Sequence, residues 1–176
     1  MSDSATALLM AAGAETIEHP GGTLLAHLRR VHDQLGAWGG RPALRLAGLC
    51  HAFYGTEGFP AQLLPLDERT KLAAAIGEEA EEIVYFYGSC DRSASYPALT
   101  EADGVFRDRF TGECFTPSLR RRQDLAELTA ANELDLARIS LPFRARWGGA
   151  LLELFTRFDP LLSEAARSEV KLILGA

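Results

Sequence analysis

The sequence predicts an all-α fold, a helical bundle whose only extended element is one small β-hairpin near residues 105–116. Three observations carry this. Apolar residues recur at helical spacing over most of the chain, as in Leu24, Leu28, Val31, Leu35 and Trp38. The periodic stretches are separated by glycine and proline breaks: "HPGG" at 19–22, Gly39-Gly40, Gly77 and Pro142. Only "VFRDRFTGECFT", 105–116, alternates aromatic and polar residues around a Thr111-Gly112 turn.

The elements follow in order. Residues 4–14 are rich in Ala and Leu, with Ser4 as N-cap. Residues 23–38, "TLLAHLRRVHDQLGAW", form an amphipathic helix that Gly39-Gly40 ends. Pro42 opens a helix over 42–54 that is apolar on almost every side, and so is expected at the centre of the bundle. Residues 55–66 are a loop. Asp67 caps a helix to Ala75, Gly77 interrupts, and a further helix runs from 78 to about 90. Residues 91–104 are polar and loop-like. After the hairpin, Thr116-Pro117 starts a long helix to about Arg138. Pro142 closes the next linker, and two helices follow near 144–158 and 160–174.

No repeat, low-complexity tract or composition shift divides the chain, so its 176 residues, 47% hydrophobic, are expected to form one domain, 1–176. The net charge of −6 argues against a nucleic-acid partner. The one dense basic cluster, "RRRQ" at 120–123, reads as a solvated helix face. Cys50, Cys90 and Cys114 are odd in number and lack CxxC spacing, which fits free thiols in a reducing compartment. No segment reaches the roughly 20 apolar residues that span a bilayer. The first residues, "MSDSATALLMAAGAE", carry Asp3 where a signal peptide has positive charge. The expectation is a cytoplasmic protein with a small-molecule partner and no membrane; its oligomeric state is left open.

Four histidines, His19, His27, His32 and His51, are the main candidates for chemistry. The helices carrying His27 and His51 are joined by a short turn and should pack antiparallel. Each histidine lies 12 residues from Gly39, and thus about 18 Å from the turn at ~1.5 Å per residue. The two therefore sit at one height and can share an ion or a substrate. His27 and His32 flank the apolar stripe on opposite sides, and the height argument selects His27. His32-Asp33 is a literal His-Asp pair, but Asp33 lies opposite the stripe. His19 precedes the helix, where "PGG" can fold it back. Tyr54, Thr56 and Glu57 follow His51 in the exit loop: Tyr54 as a hydrogen-bond donor, Thr56 as a substrate contact, Glu57 as a base. His27, His51, Tyr54 and Glu57 are the candidate catalytic residues. There is no Walker loop, dinucleotide fingerprint, HExxH or nucleophile elbow.

Over roughly residues 19–138 the chain resembles the HD-domain superfamily of metal-dependent phosphohydrolases. In that superfamily a histidine near the start of one helix is followed by a His-Asp pair ending the next. His27 stands in the first place, and "AGLCHAFYG", 47–55, resembles the apolar run that ends in the pair. "IGEEAEEIV", 76–84, resembles the following helix of the bifunctional alarmone hydrolases. Ala52 stands where the family has the metal-binding aspartate, and Asn132, with Asp135 one turn on, stands where a later helix supplies another. The resemblance thus implies an HD-like helical bundle with Asn132 and Asp135 on the substrate side. His19, His27 and His51 would hold at most one Fe or Zn, giving a reduced, mononuclear, hydrolase-like site. Two alternatives stay open: a metal-free acid–base lyase, isomerase or cyclase using His27 and His51, or a non-catalytic ligand-binding or regulatory module.

Overall fold

The computed structural model describes residues 2–175; Met1 and Ala176, the ends of the expected domain, lie outside the described residues. The fold is all-helical with two small hairpins. Its helices are α1 (Ser2–Ala11), α2 (Leu24–Ala37), α3 (Pro42–Cys50), α4 (Arg69–Ile76), α5 (Glu78–Gly88), α6 (Arg92–Ser95), α7 (Leu119–Ile139), α8 (Leu141–Phe158) and α9 (Glu164–Leu174). Strands β1 (Glu18–His19) and β2 (Gly22–Thr23) form one hairpin; β3 (Phe106–Arg107) and β4 (Cys114–Phe115) form the other.

The expected hairpin at 105–116 is present, with Phe106 opposite Phe115 and Arg107 opposite Cys114. The first hairpin is a correction to the sequence reading, which took "HPGG" as a break. Glu18 pairs with Thr23 and His19 with Gly22. Pro20 followed by Gly21 at φ +80° is the signature of a type II turn. Gly21 is required for a second reason: a Cβ there would lie 2.3 Å from Ile139 Cγ2. Thr23 then caps α2, its side chain accepting from the Ala26 N–H at 3.2 Å.

α2 and α3 pack antiparallel through the Gly39-Gly40 turn, and α7 crosses both. α3 is shorter than expected and ends at Cys50 rather than 54. Phe53 N–H donates to the Cys50 carbonyl and Gly55 N–H to that of Ala52, so the last turn tightens to three-residue spacing. Gly55, at φ +69°, turns the chain away. His51 is therefore the C-cap of α3. α7 is the 21-residue spine, touching α2, α3, α5, α8 and α9. Ser118 caps it, and Glu127 pins α9 by accepting from both the backbone N–H and the hydroxyl of Ser163 at 3.0 and 2.6 Å. The core is one apolar cluster with Phe53, Phe106, Phe155 and Phe158 as its largest fully buried side chains.

α8 starts at Leu141, earlier than the expected 144, because Pro142 fits its first turn and Ser140 caps it through the Phe143 N–H. The first half of this helix is largely exposed on its outer side. No described helix is long and apolar enough to cross a membrane.

Candidate functional site

A cavity of about 760 Å³ lies between α2, the end of α3, α7 and α8. This is within the size range of small-molecule sites. Its floor is polar and includes His27, His51, Asn132 and Glu133; its outer wall is apolar, from Phe143, Trp147, Leu151 and Leu154 of α8.

His27 and His51 meet at the floor, their ring centroids 5.4 Å apart and nearly perpendicular at 82°. Both rings are buried, 1% and 4% exposed. Each is tied back through Nδ1, to different partners. His27 Nδ1 donates to Asp135 Oδ2 at 2.6 Å, and Arg30 clamps the same carboxylate through Nε and Nη2 at 2.7 and 3.0 Å. Burial opposes ionisation of Asp135, but the hydrogen bonds from His27 and Arg30 outweigh it and hold the carboxyl below the ordinary value. His51 Nδ1 donates to the Gly48 carbonyl at 2.8 Å, so Nε2 is the ring's acceptor, beside Asn132. Burial, and then the charge of His27, lower the His51 pKa to about 3, so the ring is neutral. Asn132 Oδ1 lies 3.0 Å from His27 Nε2, and the same side chain reaches His51.

His19, carried by the first hairpin, stacks on His27 with centroids 4.1 Å apart and planes 26° from parallel. Burial first, then His27, lower its pKa to about 4. Its Nδ1 is buried without a partner. The three histidines expected to bind a metal are thus neighbours. Among the described residues, no three His, Cys, Asp or Glu side chains are placed to hold a metal ion.

The other expected site residues divide. Asn132 and Thr56 line the cavity. Asp135 does not; it lies behind His27 as the ring's anchor. Tyr54 does not line the cavity: it is buried and donates to Glu81 Oε1 at 2.7 Å, with burial and Glu81 raising its pKa. Glu57 is likewise no base at the floor. It is exposed and accepts the Arg92 backbone N–H at 3.2 Å. His32 bonds its own neighbour Asp33 at 2.9 Å and does not line the cavity.

Sequence reasoning missed Arg92, Glu133 and the α8 wall. The available signal was the density of polar residues on a helix too central to be a surface element. α7 buries Asp124, Glu127, Asn132 and Asp135, and buried polar groups need partners.

A family model described as "Domain of unknown function (DUF6817)" matches residues 8–92. That span holds all four histidines, while Asn132, Glu133, Asp135 and the α8 wall lie beyond it. The comparisons with curated proteins and with solved structures find no match.

Proposed function

We propose that this protein is a metal-free acid–base enzyme acting on a small, largely apolar molecule in the α7–α8 cavity. The observation that carries the reading is the opposite backing of two touching histidines: a carboxylate behind His27, a carbonyl behind His51. The carbonyl behind His51 fixes the tautomer in which Nε2 is the base. His51 Nε2 accepts a proton from the ligand and returns it at a second atom, while His27, held at both ring nitrogens by Asp135 and Asn132, fixes the floor beside it. One proton removed and one added is the balance of an isomerisation or an elimination.

The reading includes a distant kinship with the HD-domain superfamily. It is supported by the side-by-side placement of His27 and His51 on antiparallel helices, with Asn132 and Asp135 on a later helix against them. Ala52, buried where the family has its aspartate, supports a site without that metal. The free thiols of Cys50, Cys90 and Cys114 support a cytoplasmic setting.

The test is proton exchange in D2O. Small molecules that raise the melting temperature are incubated with the protein and followed by proton NMR. The enzyme reading predicts deuterium incorporation into a bound molecule, lowered about a hundredfold or more in His51→Asn and Asp135→Asn. Tight binding without any exchange refutes catalysis and leaves a binding protein.

A further inference from the structure

Arg92 is unlike the other arginines that meet buried carboxylates in this chain. Arg30, Arg41 and Arg69 each grip a carboxylate with two nitrogens, at 2.5–3.0 Å, on Asp135, Asp124 and Glu81. Arg92 has only two loose contacts, Nη1 to Glu133 Oε1 and Nη2 to the Tyr87 hydroxyl, both at 3.4 Å. Its side chain is 22% exposed and lines the cavity. A guanidinium presents five N–H donors in a planar fork that matches a carboxylate. Two contacts at this length leave most of that capacity facing the cavity.

We infer that the ligand carries a carboxylate, gripped by the Arg92 fork, and lays an apolar body along the α8 wall. This rests on the cavity being the ligand site, as proposed above. Three features select a carboxylate. A cationic headgroup would meet the guanidinium. A phosphate dianion would need a second guanidinium or ammonium beside Arg92, and the other one lining the cavity, Arg157, lies at the exposed rim. And Glu133, the neighbour that would repel an anion, is itself disposed to hold a proton, since burial pushes its carboxyl up despite Arg92. Tyr87 fixes the geometry. Its ring faces His51 at 5.4 Å on one side and lies within 5.9 Å of the Arg92 guanidinium carbon. The ligand's acid group and its reacting atoms are thereby held on either side of one tyrosine.

The experiment is calorimetric titration of the full chain with octanoate, octanol, octylamine and octyl phosphate, which share one tail. Octanoate is expected to bind at least tenfold more tightly than octanol, and octylamine least. In Arg92→Gln, octanoate should fall about tenfold or more, to the octanol level, and Arg92→Lys should lie between, keeping charge but losing the fork. Melting curves establish that each variant is folded; if Arg92→Gln is not, the wild-type series and Arg92→Lys decide. Octanol binding as well as octanoate, octylamine binding best, or octyl phosphate exceeding octanoate tenfold overturns the carboxylate assignment while the cavity stands. Binding by none of the four overturns the assignment together with the cavity reading.

Discussion

Acidifying the protein from pH 7 to pH 5 is expected to lower its stability by about 2 kcal/mol through His51 alone. In the folded protein this ring titrates at about 3 against an ordinary value of 6.5. Between those values the unfolded chain binds a proton that the folded chain refuses, so stability falls as pH falls below about 6.5 and the loss stops growing near 3. At pH 7 the unfolded histidine is mostly neutral and the contribution is near zero. At pH 5 the unfolded form is favoured by about 1.5 pH units, or ~2 kcal/mol. For a chain of this size that is a drop of roughly 4–8 °C in melting temperature. The ring is only 4% exposed, so water does not soften the effect. The perturbation that isolates it is His51→Asn, whose amide replaces the Nδ1–H bond to Gly48 but does not titrate. Thermal melts of both proteins at the two pH values give the comparison. The variant is less stable at pH 7 because ring packing is lost, and this offset is common to both conditions. His19, also lowered in pKa, is present in both proteins and cancels. If the variant loses as much stability on acidification as the wild type, His51 is not buried in neutral form and the base assigned above is wrong.

Asp135→Asn removes the charge from a carboxylate that is 4% exposed and holds two partners, and should cost about 3 kcal/mol in denaturant unfolding. The folded Asp135 carboxyl titrates below its ordinary value, so its contribution is full above that value and lost as pH falls through the folded one; this part of the acid limb should vanish in the variant. Tyr54→Phe should cost about 1–2 kcal/mol by calorimetry, since Glu81 keeps Arg69, and should leave octanoate affinity unchanged; altered affinity would return Tyr54 to the site. Gly21→Ala should destabilise by about 1–2 kcal/mol and shift the His19 and His27 ring resonances in NMR spectra, because the added Cβ meets Ile139 at positive φ. Unchanged resonances would show that the first hairpin does not set the histidine stack.

Most of the helical architecture was legible because it rests on periodicity and punctuation. The α2–α3 pair follows from the spacing of Leu24 to Leu35, the Gly39-Gly40 turn and Pro42, and the equal height of His27 and His51 follows from counting residues about that turn. What periodicity does not carry is long-range polar pairing. Nothing local indicates that Asp135 meets His27 across 108 positions, or that Tyr54 turns toward Glu81 rather than toward His51. The end of α3 was misplaced because Ala52 and Phe53 continue an apolar pattern that favours helix; the three-residue turns closing before Gly55 override it. The first hairpin was hidden because two-residue strands have too few positions to show alternation.

The two α7 residues that grip His27 are Asn132 and Asp135, one on each edge of the ring. Three positions apart, they share a helix face. The ring is therefore keyed to α7 as a pin is to two notches, and it fixes the sliding and the rotation of that helix together. Removing one residue anywhere between the Ser118 cap and Asn132 would turn the downstream face by about 100° and draw it back ~1.5 Å. Both notches would be lost at once, and the buried Asp135 would lose His27 and Arg30 with them. Length changes upstream of Asn132 in α7 should thus abolish the site and lower stability together.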